Sequence, residues 1–290
     1  VCSSDLGEVF SEVGEKEMLR KTLGAIAAAA AMAVASTSFA AVVTDVTFQE
    51  GAHGEVITTK FLAQYGFTVT ANNLTPGRPD KAIIFNTRER NTADPDLEGW
   101  NSFLAANAAN KQWTRGNLKG KNDLGKILII AENDTDADNN GLVDRPNDEG
   151  NRPAGSITFN FRTPITEIAF NLVDVEGPSE FSGNSGFVAT FHGVNSARTP
   201  VTTQVGFGQF VTPGNQFHDS TVVFGDNSAN AIKPILASQV GLMEFSTVVF
   251  DLGGSGGIDR LRYRFTDIPE PMTLGMLSAF APVALRRRRA

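Results

Sequence analysis

The chain has 290 residues, with 25 Lys and Arg against 32 Asp and Glu, a formal net charge of −7. That balance excludes nucleic acid as a general partner, because no cationic excess is present to neutralise phosphates. The single cysteine, Cys2, excludes a disulfide framework, and the three histidines, His53, His192 and His218, are far apart and form no H-E-x-x-H metal spacing.

From Met18 the chain carries Arg20 and Lys21, then an alanine-dominated apolar run from Leu23 to Val34, then Ser38-Phe39-Ala40. A short positive region, an apolar run and small residues at a cleavage point make a secretory signal peptide, expected over 18–41 with cleavage after Ala40 or Ala41. The apolar run is shorter than the roughly 20 residues of a membrane span. Residues 1–17 are expected to be a non-native leader. Val1 to Leu6 match the translation of a sequencing-adapter end, and Gly14 to Glu17 are encodable by a purine-rich ribosome-binding site ahead of Met18.

The remaining segment, 42–267, carries 18 Lys and Arg against 26 Asp and Glu, and is rich in phenylalanine. Period-two alternation dominates it. Ile157, Phe159 and Phe161 alternate with polar neighbours, as do Ile168, Phe170 and Leu172, then Val248, Phe250 and Leu252, then Leu261, Tyr263 and Phe265. Further strands are expected at 42–48, 64–70, 81–86, 126–132, 186–192 and 219–224, with Gly, Pro, Asn and Asp clustered between them. One short helix is expected at 102–112. Many strands without a βαβ rhythm predict a single all-β domain over 42–267, a β-sandwich of jelly-roll type. The segment 87–125 is a long insertion, a type of loop that often carries function.

Within that insertion, Asp94-Pro95-Asp96-Leu97-Glu98 reads either as a proline-stiffened surface turn or as an acidic spot, built on Asp94 and Asp96, that completes the metal site of the aspartate motif at 134–144 or forms another. Trp100 and Trp113 are candidates for stacking on a sugar ring, with Tyr65 as a third flat aromatic; core packing is the competing role. The sharpest motif is Asp134-Thr135-Asp136-Ala137-Asp138-Asn139-Asn140-Gly141-Leu142-Val143-Asp144. Counted from Asp136, oxygen-bearing side chains fall at positions 1, 3, 5 and 9 and glycine at position 6. Alternate residues of a tight loop aim hard oxygen ligands inward, which suits Ca²⁺. The expected ligands are Asp134, Asp136, Asp138, Asn140 and Asp144. Asp148 or Glu149 would reach in at the end, because Asn147 stands where a bidentate glutamate would be. A solvated acidic loop is the alternative. The spacing resembles the first half of an EF-hand loop and, more closely, the aspartate-rich repeats of thrombospondin type 3.

Gly253-Gly254-Ser255-Gly256-Gly257 formally matches G-x-S-x-G, but a strand follows it, so it reads as a hairpin loop and not as a nucleophile elbow. Arg260, Arg262 and Arg264 share one face of the last strand, where they either hold an acidic polysaccharide or pair with acids across strands; pairing is expected. A glycosidase needs only two carboxylates at a set distance, and the acidic content leaves that open.

At the C-terminus, Pro269-Glu270-Pro271 precedes an apolar stretch from Met272 to Leu285 and the cluster Arg286, Arg287, Arg288 and Arg289. An apolar run closed by arginines has stop-transfer character. Triplet, apolar run and arginines together resemble the PEP-CTERM signal recognised by exosortases in Gram-negative, biofilm-forming bacteria, although Pro282 interrupts the run. The folded part also loosely resembles the uncharacterised extracellular β domains found ahead of such tails. The matching phrases are Phe48 with the glycines after it, Ala131-Glu132-Asn133, Asn171 to Glu176, and Gly256 to Arg260. The resemblance implies export, handling by signal peptidase and exosortase, transient inner-membrane anchoring through the tail at 268–290, and a cell-surface or matrix role beside exopolysaccharide. The function expected is non-catalytic: binding or organising that polysaccharide with Ca²⁺-stabilised structure. A glycan-active hydrolase and a purely structural matrix protein remain as alternatives.

Overall fold

The computed structural model describes residues 43–99, 113–120, 124–180 and 186–266. The leader, the signal peptide, the helix expected at 102–112, Trp100 and the sorting tail with Pro269, Glu270, Pro271 and Arg286 to Arg289 lie outside the described residues.

Alternation in the sequence becomes strand wherever one face can be buried. The strands are β1 (Val43–Val46), β2 (Phe67–Asn73), β3 (Ala82–Asn86), β4 (Lys126–Ile130), β5 (Gly155–Val173), β6 (Val188–Val194), β7 (Pro200–Gly206), β8 (Ala229–Leu236), β9 (Glu244–Leu252) and β10 (Gly257–Phe265). Two short helices, α1 (Leu62–Tyr65) and α2 (Phe207–Val211), and a 3₁₀ turn at Ala237–Val240 complete the described elements. The domain is therefore all-β. Its strands join by hydrogen bonds into one antiparallel sheet, in the order β3-β4-β10-β5-β9-β6-β7, with β1 beside β10 and with β2 and β8 beside β5.

β5 organises this sheet. The two strands expected at 156–161 and 168–173 are halves of one 19-residue strand. Its first half pairs with β2 and β9, and its second half with β10 and β8. Core residues are odd-numbered in the first half (Ile157, Phe159, Phe161) and even-numbered in the second (Ile168, Phe170, Leu172). Ile165 keeps the odd phase, and the change occurs at Thr166, where the β10 register shifts between Ile165 and Glu167. Pro164 lies just before it, in the break of the β9 register between Asn160 and Ile165, where no ladder N–H is required of the proline. Both halves feed one hydrophobic cluster. Phe250 of β9 meets Phe159 at 5.6 Å and Phe170 at 4.5 Å between ring centroids, so a single aromatic contact chain ties the two halves of β5 together.

β3 and β4 are buried on both faces. Ile84, Leu128 and Ile130 point into the main cluster; Ile83, Phe85, Ile127 and Ile129 form a second one with Leu97, Trp113 and Val143. Burial on both faces explains why Ala82–Phe85 and Ile127–Ile130 read as unbroken apolar runs and not as alternation. The insertion after β3 covers that outer face. Trp113 is 2% exposed within this cluster, so it offers no ring face to a sugar, and the stacking role considered for it is replaced by core packing. Tyr65 is half-buried against Phe61 and Phe67, and its hydroxyl bonds the Glu50 carboxylate.

Three segments differ from expectation. The segment 219–224 is a turn: the buried Asn230 amide bonds both Val223 N–H (3.0 Å) and Val223 C=O (2.9 Å), supplying from a side chain what a ladder would. β7 and β8 are strands that alternation did not reveal. β7 is a polar edge strand opened by Pro200, and β8 pairs only with β5, carrying Lys233-Pro234 at a register shift. Arg260 and Arg264 pair with Asp45 and Glu167 across neighbouring strands, as expected of that face.

Candidate functional site

One end of the sheet gathers carboxylates from segments distant in sequence. β4 runs on through Ala131 and Glu132, which pair with the returning segment 147–149: Glu132 N–H bonds Asn147 C=O at 2.9 Å and Glu149 N–H bonds Ile130 C=O at 3.0 Å. The aspartate motif at 133–146 is therefore an excursion on a paired stem, and Asp148 stands on the stem. This separates Asp148 from the loop that it was expected to complete.

Asp148 is buried among different partners. Its N–H bonds Asp94 Oδ2 at 3.0 Å, and its own Oδ2 accepts from Ser255 Oγ at 2.8 Å and from Gly256 N–H. Ser255 Oγ also lies 3.2 Å from Asp174 Oδ2, while Asn227 N–H bonds Asp174 Oδ1 at 2.7 Å. A hydroxyl donates one proton, so Ser255 serves only one of the two carboxylates at a time. Asp94 is 2% exposed, which replaces the surface-turn reading of 94–98: Leu97 is buried in the second cluster and draws the turn inward. Glu98 in the same turn accepts from Thr92 N–H and Oγ1.

These groups line a cleft of about 520 Å³ with nine carboxylates (Asp94, Asp96, Glu132, Asp148, Glu149, Asp174, Glu176, Glu180 and Asp226) against two arginines, Arg78 and Arg152. Arg78 pairs with Glu132 at 2.6 Å, and Arg152 with Glu176 at 2.8 Å. Asp94, Asp148 and Asp174 have no such cation among the described residues. Burial pushes all three above the ordinary carboxylate range; repulsion from Asp148 adds to the effect at Asp94, and repulsion from Asp96 adds to it at Asp174. A buried carboxylate without a cation takes up a proton or attracts an ion.

The aspartate loop itself brings together Asp136, Asp138 and Asp144, whose carboxylate oxygens lie within 4.8 Å of one another. Its turn is held by Asn140 and Gly141 N–H groups bonding Asp136 at 3.0 and 2.9 Å, and by Ala137 N–H bonding Asp144 at 2.7 Å. Gly141 has φ +85°, as the sharp turn requires. Two expected ligands are engaged elsewhere. Asp134 pairs with Lys81 at 2.7 Å, and Asn140 Oδ1 accepts from Leu142 N–H at 2.8 Å. Val143 anchors the loop, buried in the second cluster and bonded to Gly54 C=O. A shallow depression of about 300 Å³, lined by Ala93, Glu132, Asn147, Thr135 and Asp144, runs from the loop base to the cleft.

Sequence reasoning named Asp94, Asp96 and Asp148 and left open that Asp94 and Asp96 complete the aspartate-loop site; the structure places Asp94 against Asp148 on the stem, and sequence reasoning missed Asp174, Ser255 and the cleft. The Gly253–Gly257 segment does not close the hairpin expected there: β9 and β10 lie on either side of β5, with Leu252 beside Gly155 and Gly257 beside Val173. The segment therefore crosses from one end of β5 to the other, and its serine faces the carboxylates of Asp148 and Asp174. His53 Nδ1 accepts from Asn86 N–H at 2.9 Å, and His192, exposed on β6, bonds Thr202 Oγ1 at 2.9 Å. No described helix is long and apolar enough to cross a membrane. Compared with known proteins, the chain matches no protein-family model and no curated protein sequence.

Proposed function

We propose that this chain is an exported cell-surface or matrix protein whose β domain, 42–267, binds extracellular polysaccharide in the acidic cleft with the help of Ca²⁺ and without catalysing a reaction. The observation that carries this reading is the cleft, where nine carboxylates face two arginines. Carboxylates in that excess suit a hard divalent cation, whose free coordination positions take sugar hydroxyls. A cleft of about 520 Å³ is of the size that holds a small ligand or a few units of a chain. The Asp136, Asp138 and Asp144 loop takes a Ca²⁺ of its own at the cleft margin, where the ion relieves repulsion among the three carboxylates.

In this reading residues 18–41 direct export and are removed by signal peptidase. The tail from Pro269 to Arg289 anchors the chain in the inner membrane until an exosortase processes it, in a Gram-negative host. The sheet folds about β5 into a sandwich of jelly-roll type, which the shared core of the two β5 halves supports.

A glycan array probed with and without chelator tests the function. Calcium-dependent retention with no product is expected; retention unchanged by chelator refutes the role of calcium, and no retention on any glycan leaves a purely structural matrix protein. A second reading is a glycan hydrolase, which needs two carboxyls about 5–9.5 Å apart across the scissile bond; the nine carboxylates that line the cleft supply the candidates. Release of new reducing ends on the same array would select it.

A further inference from the structure

We propose a divalent-cation site, best suited to Ca²⁺, formed by Glu176, Glu180 and Asp226, separate from the Asp136 loop. One carboxylate oxygen from each residue lies within 4.8 Å of the other two. Calcium–oxygen distances of about 2.3–2.6 Å place two oxygens on one ion at most about 5 Å apart, so the three residues hold one ion without rearrangement.

The backbone pre-forms this triangle from two segments. Glu176 and Glu180 lie in the turn that follows β5, where Glu180 N–H bonds Gly177 C=O at 2.9 Å and Gly177 N–H bonds the Glu180 carboxylate. Asp226 lies in the turn before β8, fixed on either side by Gly225 N–H to Val175 C=O at 2.7 Å and Asn227 N–H to Asp174 Oδ1 at 2.7 Å. An ion here would cross-link the end of β5 to the approach to β8.

A second observation points to a ligand. Glu176 is 5% exposed, and its Oε1 takes both contacts from Arg152, at 2.8 and 3.1 Å. Its Oε2 is buried with no hydrogen-bond donor among the described residues. An orphaned anionic oxygen in a buried position is costly unless something positive meets it. Arg152 reaches Glu180 only at 3.7 Å, and Arg115 borders the same depression against Gly225. All-carboxylate donors, with no histidine or cysteine, select a hard cation over a transition metal. The irregular three-point geometry favours Ca²⁺ over Mg²⁺, which demands a near-ideal octahedron.

The test uses the full chain with Asp136→Asn and Asp138→Asn, which silences the loop, titrated with CaCl₂ by calorimetry. One saturable binding event is expected to remain. Adding Glu180→Gln and Asp226→Asn is expected to weaken it by at least about tenfold. No saturable heat in the loop-silenced protein overturns the proposal and assigns the cluster to a proton shared among its carboxylates. Heat that the added pair leaves unchanged overturns it too, and places the ion elsewhere in the cleft. Asp226 is exposed, so Asp226→Asn alone keeps the fold and reads the same weakening if the larger variant does not fold. A chain that retains no glycan still gives this isotherm, so failure of the polysaccharide reading and failure of this site are distinguishable.

Discussion

Acidification should stabilise the chelated protein, opposite to the usual loss of carboxylate ion pairs. Asp148 is buried and its carboxyl is pushed up from 3.8 to about 6, chiefly by burial; Asp94 and Asp174 are raised in the same direction. The folded state then holds protons that the unfolded chain releases. The contribution of these three groups to stability is greatest below the ordinary carboxylate range and falls as pH rises through the raised one. For Asp148 the rise is about two units. At about 1.4 kcal/mol per unit it removes about 3 kcal/mol between roughly pH 4 and pH 6. In a domain of this size 1 kcal/mol moves Tm by about 2–4 °C, so Tm in EDTA should drop by about 6–12 °C over that interval. Asp148→Asn keeps an acceptor for Ser255 and Gly256 N–H while removing the charge, and should flatten the profile. Saturating Ca²⁺ should restore Tm at neutral pH by binding only the folded state. Differential scanning calorimetry at stepped pH decides it: a chelated Tm that is level or climbs from pH 4 to pH 6 refutes the assignment of buried, uncompensated carboxylates.

Four substitutions probe the frame that holds the cleft. Asn230→Ala removes both hydrogen bonds to Val223 and should cost about 3 kcal/mol, read from the urea midpoint at unchanged slope. Gly155→Ala places a methyl 2.1 Å from Asn72 C=O at φ +145° and should prevent stable folding, whereas Gly214→Ala, at φ +87° with open space around it, should cost about 1 kcal/mol; thermal melts of the two separate collision from backbone strain. Trp113→Ala should cost about 4 kcal/mol through the cavity left among Ile83, Phe85 and Leu97, and leave Ca²⁺ affinity per folded molecule unchanged by calorimetry.

Much of the fold was readable because alternation is a local signal. The odd-numbered Ile157, Phe159 and Phe161 and the even-numbered Ile168, Phe170 and Leu172 marked both halves of β5 without aid from the rest of the chain. Their union into one strand was not readable, because Pro164 punctuates a sequence as a break, while in the sheet it sits where the ladder has already shifted. β8 was hidden for the same reason, with Lys233-Pro234 at a register shift on a strand that pairs only with β5. The false strand at 219–224 shows the converse. Thr221, Val222 and Val223 have strand propensity, but the buried side chain of Asn230, seven residues on, satisfies the Val223 backbone first.

The two acidic assemblies differ in legibility for a physical reason. Asp136, Asp138 and Asp144 meet because a tight loop brings alternate residues together, and a loop is written in consecutive letters. Asp94, Asp148, Asp174 and Ser255 meet because three parts of the fold end at one place: the paired stem at 130–132 and 147–149, the end of β5, and the connection that crosses β5 from β9 to β10. No spacing rule joins residues that lie 54 and 107 positions apart in sequence. One trace was present nonetheless. Asp94 precedes Pro95 and stands three residues before Leu97, and an apolar residue in an acidic turn has to be buried somewhere; burying Leu97 in the second cluster draws Asp94 out of water with it. A carboxylate carried inward by its neighbour's hydrophobicity is a charge that the fold must compensate, and in this molecule the compensation has to come from protons or from ions.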